Sequence, residues 1–539
     1  MNKISDVLKQ HYYLLTSILM FLSFPSFDFW FLKGFPFFAW FSLAPLFLYI
    51  RGKSMKQVFF YSFVTGIFGN LFAYHWIGNF GAVVPGGYAV VLSFLIPSLT
   101  CFFALKIMLA EFLSRRFEGL RFFIYPAAWI LIDWAQSLGH LAFPWTYWGY
   151  SQFPFTPFIH LASFTGVMGV TFTVVFANYA IADFIAATLR DGIPFRQSCV
   201  SRRVRCVAGV LIFVIIVSLY GGGMMLFGPK AGRRDLRVAM VQSCINPWKN
   251  WSLNRMHYLY ELQKYTRQSL AADPDMVIWS ESATLELISY DYATGRLNNF
   301  ERRLFDIVRS MGRPLLTGEI GRTDDFLNRI AHFSNNAVLI SAAGEVVQTY
   351  AKMNLVPFGE WFPYENWFPW VKRLVESFGG STFTPGTEQV RFQVHGKHFG
   401  VLVCYEGIFF RFCREYCGRG LDFLVNITND GWTSTYNGHM QHFATAKFRA
   451  LENGIWFARA GNTGYTVLID PYGRITASMP ILRQGYCAGD MDFRLNRVTV
   501  YSLLGDVFSY GMFIFLGALF GILGYRRLRG RASSPHTFP

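Results

Sequence analysis

Long apolar runs constrain this chain more than any other feature of its sequence. A helix that crosses the hydrocarbon core of a membrane needs about 20 predominantly apolar residues, and eight runs approach that length. Hydrophobic residues make up 53% and charged residues 15% of the 539 positions, which excludes a soluble cytosolic enzyme and a disordered chain. We therefore predict eight transmembrane helices. They cover residues 12–30, 34–50, 57–75, 88–110, 121–138, 155–189, 206–227 and 505–525.

The basic residues indicate how these helices are oriented. Lys and Arg are concentrated in every second loop, and loops of this kind stay on the cytoplasmic side. This predicts both termini in the cytoplasm and residues 228–500 in the periplasm, with the chain in a bacterial inner (cytoplasmic) membrane. The net charge of +16 is largely this orientation signal, so nucleic acid is not predicted as a partner. The basic loops contain Lys3, Lys9, Arg51, Lys53, Lys56, Arg115, Arg116, Arg121, Arg190, Arg196, Arg202, Arg203, Arg205, Arg526, Arg527, Arg529 and Arg531.

Residues 228–500 form a separate unit, because short β-type runs alternate there with helical stretches, as in α/β domains. We predict a membrane domain with seven transmembrane helices at 1–227 and a periplasmic catalytic domain at 228–500. A last transmembrane helix with a cytoplasmic tail follows at 501–539. The predicted strands are Leu236–Gln242, Met276–Ser280, Pro314–Gly318, Ala337–Ser341, a strand ending at Tyr350, Gly400–Cys404, Phe423–Ile427 and Tyr465–Asp470; the predicted helices are 253–271, 299–311 and 438–452, and turns are predicted at 342–344 and 470–473.

The predicted outer loop 139–154 is rich in aromatic residues, including Trp145, Tyr147, Trp148 and Tyr150. Trp and Tyr are enriched at the level of the lipid head groups. The loop is therefore interpreted either as an aromatic belt or as a platform under a lipid-binding site.

Three predicted strand ends carry residues that can transfer an acyl group together, although each alone has an ordinary structural explanation. They are Glu281, Lys352 and Cys404, and side chains just beyond strand ends often carry the chemistry of α/β domains. A thiol with an ordinary pKa of about 8.5 is mostly protonated at neutral pH, so a carboxylate is needed to take its proton. An ammonium lowers the thiol pKa and stabilises the oxyanion, for which the N–H of Tyr405 is a second candidate donor. We predict a thioester mechanism with Cys404 as nucleophile.

The sequence around these residues resembles a known superfamily. Trp279-Ser-Glu281, Lys352-x-x-Leu-Val-Pro-Phe-Gly-Glu360 and Cys404-Tyr-Glu406 are similar to the Glu-Lys-Cys motifs of the nitrilase (carbon–nitrogen hydrolase) superfamily. The Leu-Val-Pro-Phe-Gly-Glu form, in an eight-span chain, is similar to the apolipoprotein N-acyltransferase family in particular. The resemblance implies an α/β domain with two sheets between two helical layers, a nitrilase-like four-layer αββα sandwich.

The resemblance also implies a ping-pong reaction. Cys404 would take an acyl chain from a phospholipid donor and pass it to the α-amino group of the N-terminal diacylglyceryl cysteine of an apolipoprotein. The product would be a mature triacylated lipoprotein. By the same resemblance, Trp251, Glu360, Tyr405 and Glu406 belong to the site. No metal and no organic cofactor is implied, and we expect a monomer.

Aromatic residues follow Glu360 directly. Among Pro and Gly residues they are typical of a loop that dips into lipid, although core packing also explains aromatic side chains. We hypothesise a lid with a hinge at Gly379 and Gly380. The aromatic residues are Trp361, Phe362, Tyr364, Trp367, Phe368, Trp370, Phe378 and Phe383.

Other functions remain open from sequence alone. A membrane-tethered amidase or nitrilase-type hydrolase would use the same three residues with water as the acceptor. A transporter or receptor would only bind a ligand in its outer domain. The pairs Cys413/Cys417 and His439/His442 have spacings found in metal sites, but helix packing explains them as well.

Overall fold

The structure is a computed structural model. It describes residues 9–29, 33–81, 87–145, 147–190, 202–247, 249–325, 329–362, 367, 369–370, 382–433 and 435–532. Lys3 and Arg196, two of the residues used for the predicted orientation, lie outside the described residues.

Helices make up the N-terminal region, and a long helix ends the chain. The α-helices are α1 Leu15–Ser23, α2 Pro36–Ala39, α3 Ala44–Ile50, α4 Met55–Tyr74, α5 Gly87–Ser114, α6 Arg121–Gln136, α7 Thr156–Ile159, α8 Ala162–Ile185, α9 Arg202–Phe227, α10 Trp251–Ser269, α11 Ile288–Thr294, α12 Asn299–Met311, α13 Phe410–Cys417, α14 Tyr436–Asn453, α15 Val500–Leu504 and α16 Val507–Ala532. Within the described residues, four segments are long and apolar enough to cross a membrane. They are Val91–Ser114, Ala162–Thr188, Val204–Phe227 and Val507–Arg529.

This number is smaller than the eight predicted spans because several apolar runs form shorter helices. The first run gives α1, and the second is divided between α2 and α3. Helix α6 has 16 residues, which at 1.5 Å per residue is about 24 Å, less than the roughly 30 Å of a hydrocarbon core. Helix α4 has 20 residues but includes Thr65 and Asn70, which make it less apolar.

The region after α9 contains two six-stranded sheets, with orders β12-β1-β2-β3-β4-β5 and β11-β10-β9-β8-β7-β6. The central strands β1, β2 and β3 are parallel, as are β7, β8 and β9, and the outer strands are antiparallel. The strands are β1 Leu236–Gln242, β2 Met276–Ile278, β3 Leu315–Asp325, β4 Ile330–Ile340, β5 Val346–Ala351, β6 Phe392–Val394, β7 Lys397–Val403, β8 Phe423–Thr428, β9 Trp456–Gly461, β10 Thr466–Ile469, β11 Ile475–Met479 and β12 Gly485–Met491.

Alternation of side chains along the strands explains how the layers form, because successive residues point to opposite faces of a sheet. On β1, Met240 packs between the two sheets, whereas Val241 packs against α10 and α12. On β8, Val425 lies between the sheets, whereas Leu424 belongs to a core shared with α13, α14 and the helical region. The result is two sheets between two helical layers, as predicted.

The predicted elements of this domain agree with the structure except for several short strands. Each predicted strand overlaps an observed one, and the three predicted helices correspond to α10, α12 and α14. The 470–473 turn joins β10 to β11, with Gly473 N donating to Asp470 O at 2.9 Å. Strands β6, β9, β11 and β12 were not predicted. Polar residues interrupt their apolar pattern, as the buried Arg459 does in β9.

The loop described at 139–145 and 147–154 packs against the two-sheet domain. Trp145, Tyr147, Trp148 and Tyr150 are at most 5% exposed. The ring of Trp145 lies 5.1 Å from the ring of His442 in α14. These four side chains are buried inside the protein, so a lipid-facing aromatic belt is the wrong interpretation for them.

Candidate active site

Three strand ends bring Glu281, Lys352 and Cys404 together. Glu281 follows β2, Lys352 follows β5 directly, and Cys404 follows β7 directly. Lys352 Nζ lies 3.5 Å from Glu281 Oε1, and both charged groups interact electrostatically with the Cys404 thiol. All three residues are at most 5% exposed. The structure thus assembles the three predicted residues into one buried cluster.

A second carboxylate holds Lys352. Lys352 Nζ donates a hydrogen bond to Glu360 Oε1 at 2.9 Å. The amide Nδ2 of Asn335, on β4, donates to that same oxygen and to Glu281 Oε1, both at 2.9 Å. Asn335 therefore links the two carboxylates that face the ammonium. Sequence reasoning predicted Glu360 and missed Asn335.

Two backbone features fix the orientation of Glu281. Its Oε2 accepts a hydrogen bond from the backbone N–H of Asn429 at 2.7 Å. The chain turns closely over Gly318 on β3, where a Cβ atom would lie 2.5 Å from the backbone nitrogen of Ser282. A larger residue at position 318 would displace the segment that carries Glu281.

Cys404 lies on a strained turn. Its φ of 51° is in the left-handed region, which is uncommon for residues other than glycine. The neighbouring Glu406 is buried, and its carboxylate accepts hydrogen bonds from the hydroxyl of Tyr350 and the backbone N–H groups of Met353 and Val403 at 2.7–2.8 Å. Glu406 therefore joins the strand end before Cys404 to the segment that follows Lys352.

Burial and neighbouring charges set the protonation states of the cluster. Burial raises the pKa of the Cys404 thiol well above its ordinary value; Glu281 raises it further, and Lys352 opposes this. Burial also raises the pKa of Glu281, against the effect of Lys352. Burial alone would lower the pKa of Lys352, but Glu360 and Glu281 together outweigh it and raise that pKa. The resting cluster therefore contains a protonated thiol and a charged ammonium.

Behind Cys404 lies a buried polar network that sequence reasoning did not predict. His442 Nδ1 lies 2.8 Å from Asp430 Oδ1, and His442 Nε2 lies 3.2 Å from the carbonyl oxygen of Cys404. Arg459 Nη2 donates to Asp430 Oδ2 at 2.6 Å. Burial would raise the pKa of Asp430, but Arg459 and His442 outweigh it and lower that pKa. The network places an imidazole against the backbone of the thiol residue, with a charged carboxylate on the other side of that ring.

Of the pair His439/His442, His442 has contacts with Asp430 and Cys404 that explain its position without a metal ion. Burial, followed by the charge of Arg459, lowers the pKa of His442 and favours its neutral ring. Within the described part of the chain, no group of three or more His, Cys, Asp or Glu side chains is placed to hold a metal ion.

Tyr405 and Trp251 occupy different surroundings. The Tyr405 hydroxyl donates to the carbonyl oxygen of Ala142 at 2.6 Å, so the residue after the thiol is bonded to the 139–154 loop of the helical region. Trp251 begins α10, and its Nε1 donates to Glu286 Oε1 at 2.7 Å. Its ring lies 5.7 Å from that of Phe300. Tyr405 is thus next to the cluster, whereas the described contacts of Trp251 are with α10, α12 and the segment that contains Glu286.

The predicted lid is described only in part. The ring of Trp361 lies 5.0 Å from the ring of His140, in the outer loop. Trp367 and Trp370 are 78% and 60% exposed. Among the predicted lid residues, Tyr364, Phe368, Phe378, Gly379 and Gly380 lie outside the described residues.

Two family models match the chain, and they cover its two parts. The carbon-nitrogen hydrolase model matches residues 237–499, and the model of the apolipoprotein N-acyltransferase N-terminal domain matches residues 16–180. The fold and the site thus define a nitrilase-like domain of the carbon-nitrogen hydrolase class, attached to a helical region.

Curated relatives are similar over nearly the whole chain. The apolipoprotein N-acyltransferase of Geobacter metallireducens is 30% identical over 95% of this chain and 94% of its own. Apolipoprotein N-acyltransferase 1 of Treponema denticola is 28% identical over 89% of this chain and 90% of its own. The chain belongs to the apolipoprotein N-acyltransferase family, which confirms the resemblance seen in its motifs. Among solved structures, an amidase from Nesterenkonia sp. is 20% identical, with a TM-score of 0.35 over 49% of this chain and 94% of its own.

Proposed function

We propose that this protein transfers an acyl chain from a phospholipid to the α-amino group of the N-terminal diacylglyceryl cysteine of apolipoproteins. The product is a triacylated lipoprotein. The single observation that carries the proposal is the buried cluster of Glu281, Lys352 and Cys404. Membership of the apolipoprotein N-acyltransferase family supports the choice of substrates.

In the first half-reaction, the Cys404 sulfur attacks an ester carbonyl of the phospholipid. Glu281 takes the thiol proton as the C–S bond forms. Lys352 and the backbone N–H of Tyr405 stabilise the oxyanion. The C–O bond then breaks, and Glu281 returns the proton to the leaving oxygen. The products are a lysophospholipid and a thioester on Cys404.

In the second half-reaction, the α-amino group of the acceptor attacks the thioester carbonyl. Such an amine has a pKa of about 7.7–8.0 and is partly unprotonated at neutral pH. Glu281 accepts a proton from the amine and delivers it to the leaving sulfur, which restores the Cys404 thiol. An amide bond replaces the thioester. No metal or organic cofactor takes part.

The supporting residues have three different roles in this proposal. Glu360 positions Lys352 through the 2.9 Å hydrogen bond, and Glu406 positions the turn that contains Cys404. Tyr405 supplies its backbone N–H to the oxyanion. Trp251 contributes more remotely, because its indole is bonded to Glu286.

Mass spectrometry of the intact protein and of its Cys404 peptide tests this function directly. The purified protein is mixed with phospholipid, and then with a diacylated lipopeptide. We expect the mass of one acyl chain on the Cys404 peptide, followed by its loss as N-acylated lipopeptide appears. The Cys404→Ala variant is the matched control and should gain no acyl mass. Release of free fatty acid without N-acylated peptide would instead identify a membrane-tethered hydrolase.

We also propose that the helical region spans the inner membrane eight times, with both termini in the cytoplasm and the domain at 228–500 in the periplasm. The alternation of basic loops supports the orientation, and the four long apolar helices account for four of the eight proposed spans. The boundaries 1–227, 228–500 and 501–539 are supported by the end of α9 at Phe227 and the start of α16 at Val507.

Labelling with a membrane-impermeant maleimide tests the topology. Asp306, on the exposed face of α12, and Arg527, near the end of α16, are replaced by Cys one at a time. Asp306→Cys should react in intact spheroplasts, whereas Arg527→Cys should react only after the membrane is opened. The reverse pattern would overturn the orientation. Light scattering in detergent should give the mass of one chain.

A lid over the active site is part of the same proposal. The exposed indoles of Trp367 and Trp370, close in sequence to Glu360, support it, because exposed aromatic side chains insert readily at the lipid interface. Replacing both Trp residues by Ser should slow thioester formation from phospholipid in bilayers. Unchanged phospholipid turnover would contradict the lid.

A further inference from the structure

A cavity lies in the helical region, where the ends of four helices converge. Its volume is about 250 Å³. Residues from the end of α3, the end of α5, the start of α6 and the last turns of α8 line it. They include Phe47, Arg51, Lys53, Glu111, Arg115, Arg121, Tyr125, Tyr179 and Asp183.

This cavity lies at the opposite end of the helical region from the active-site domain. On α8, the backbone N–H of Val167 donates to Glu452, in α14 of that domain, at 2.8 Å. Asp183, on the same helix, lines the cavity 16 residues further along. At a rise of 1.5 Å per residue, 16 residues span roughly 24 Å. A molecule in the cavity therefore cannot be the one that reacts with Cys404.

The walls of the cavity carry an excess of positive charge. Its lining contains four cationic side chains, Arg51, Lys53, Arg115 and Arg121, and the two carboxylates Glu111 and Asp183. Both carboxylates are already paired: Arg115 Nε donates to Glu111 at 3.0 Å, and Arg51 Nη1 donates to Asp183 at 3.1 Å. Arg121 pairs with Glu118, but that carboxylate is 75% exposed and lies outside the cavity lining, so water screens it. The surplus of two positive charges favours an anionic ligand.

The arginines also have the geometry to bind a phosphate group. A guanidinium has five N–H donors, and it binds phosphate with two parallel hydrogen bonds. Within the described residues, the hydrogen bonds of Arg115 use its Nε and Nη2, and those of Arg121 likewise use Nε and Nη2. Each guanidinium therefore retains donors for a ligand. Their side chains are 32% and 25% exposed, so a ligand can reach them.

Part of the cavity lining is aromatic. The ring centroids of Phe47 and Tyr125 are 4.8 Å apart, and those of Tyr125 and Tyr179 are 4.3 Å apart. Drug-sized ligands occupy pockets of about 300–1,000 Å³, so this cavity suits a smaller group. Outside it, Leu120 and Phe123 flank Arg121 in the chain and are 37% and 48% exposed. These two side chains offer an apolar surface to acyl chains.

We propose that this cavity binds the phosphate head group of an anionic glycerophospholipid, with the acyl chains lying on the outer surface of the helices. Basic pockets between membrane helices on the cytoplasmic side bind such head groups. The assignment to the cytoplasmic leaflet rests on the proposed topology, because the cavity lies on the side of the basic loops. The bound lipid anchors the converging helix ends and is not an acyl donor.

Native mass spectrometry of the full-length protein in detergent tests the proposal. The probe is phosphatidylglycerol with ether-linked chains, which cannot acylate Cys404. The Arg115→Ala/Arg121→Ala double variant is compared with the control Arg116→Ala/Arg527→Ala, which removes two basic residues that do not line the cavity. We expect about 30-fold weaker binding of one lipid only in the first variant, since each Arg contributes a factor of about five near an anionic lipid.

Equal lipid binding by the two double variants would overturn the proposal. Excess inorganic phosphate and glycerol 3-phosphate are added in a second arm, and displacement of the lipid by either would show that the cavity takes the free anion instead. If the double variant does not fold, Arg121→Gln alone is used, because the salt-bridge partner of Arg121 is the exposed Glu118. Acyl transfer from phosphatidylethanolamine should remain within twofold of the unmodified protein, which separates this test from that of the proposed function.

Discussion

Glu281 and Glu360 both face the ammonium of Lys352 in a buried site, and their distances from it differ. This difference bears on which carboxylate activates the Cys404 thiol. Lys352 Nζ lies 2.9 Å from Glu360 and 3.5 Å from Glu281. The nearer carboxylate compensates the charge of Lys352 more closely, which leaves Glu281 as the carboxylate that can take a proton from Cys404. The proposed mechanism therefore gives the positioning of Lys352 to Glu360 and proton transfer to Glu281.

The Glu281→Gln variant should separate thiol ionisation from catalysis. Glu281 raises the pKa of Cys404, so its neutral replacement should lower that pKa. Alkylation of Cys404 by iodoacetamide, followed by peptide mass spectrometry across a pH series, should therefore have its midpoint at lower pH. Acyl transfer should nevertheless fall by about 10²- to 10⁴-fold, because the proton acceptor is lost. The exposed Glu388→Gln is the charge-matched control, and a Cys404 midpoint that moved upward would contradict the assignment.

His442 should affect the rate more than the binding of substrate. The His442→Ala variant removes the ring between Asp430 and the carbonyl oxygen of Cys404. A displacement of about 1 Å at a reacting atom costs on the order of 10²-fold in rate. We expect kcat to fall by about that factor, with KM for phospholipid unchanged within twofold. Steady-state kinetics measure both parameters.

His439→Ala is the matched control for this prediction, because His439 lies on the same helix and is equally buried. Its ring contacts Thr463, at 3.0 Å, and the carbonyl oxygen of Thr435. A purely structural role for His442 would reduce melting temperature and kcat in parallel in both variants. A loss of kcat confined to His442→Ala supports a positioning role.

At the scale of elements, α14 connects the two parts of the molecule. One of its residues, Gln441, accepts hydrogen bonds from the indoles of Trp76 and Trp145, at 3.2 and 3.3 Å. Another, His442, contacts the backbone of Cys404. Neighbouring positions on one helix therefore contact the helical region on one side and the active site on the other.

Lys447 on α14 should give the folded protein a distinct pH dependence. It is 6% exposed and donates to Phe153 O at 3.0 Å and to Thr156 Oγ1. Burial lowers its pKa from an ordinary 10.5 to about 8. Between these values the unfolded chain binds more protons than the folded chain, so stability rises with pH through this window.

The comparison is made with Lys447→Met, in which this titration is absent. The melting temperature of the unmodified protein relative to the variant should increase by a few degrees between about pH 7.5 and 9.5. Differential scanning fluorimetry in detergent measures it. The exposed Lys249→Met is the control and should follow the unmodified protein at each pH.

The elements of the α/β domain could be predicted from sequence much better than the contacts between them. Continuous apolar runs such as 236–242 and 400–404 indicate buried strands, and three of these runs end at the predicted reactive residues. Asn335 and Asp430 could not be found this way. They are polar residues whose partners, Glu281 and Arg459, are distant in sequence. Only the sheet topology brings these pairs together.

The helical region was harder to predict because hydropathy measures composition and not helix length. The run 34–50 is apolar throughout, yet the chain leaves the helix between Ala39 and Ala44. The 139–154 loop was ambiguous for a related reason. Aromatic side chains that face lipid and those that pack under another domain have the same composition, so only burial distinguishes them.

For the molecule as a whole, one hydrophobic core runs from the helical region into the outer face of the second sheet. Tyr150 packs against Phe448 with ring centroids 5.2 Å apart, and Phe153 packs against Phe443 at 5.9 Å. Both Phe residues belong to α14. The two-sheet domain therefore has an apolar face, and exposing that face to water would cost free energy.

Separating the two parts should abolish activity, whereas a simple chain break should not. Residues 228–500 produced alone should aggregate without detergent, because the α14 face becomes exposed. The same chain cut between Lys230 and Ala231, in an exposed segment, and produced as two fragments should assemble in the membrane and remain active. Sedimentation and the acyl-transfer assay measure the outcomes. A soluble and active isolated domain would contradict this account.

The hydrogen bond from Tyr405 to Ala142 has a consequence for which acceptors can react. It ties the residue beside the thiol to a loop of the helical region, so in the proposed topology the reactive sulfur is held at a fixed distance from the bilayer. In the proposed reaction, the α-amino group of the acceptor reaches that distance when the acceptor's own acyl chains hold it in the membrane. The choice of acceptor then depends on how far its α-amino group lies from the membrane and not on the residues that follow the first cysteine. Acceptors with unrelated sequences can therefore react at the same site, whereas a cysteine without a lipid anchor does not reach the thioester.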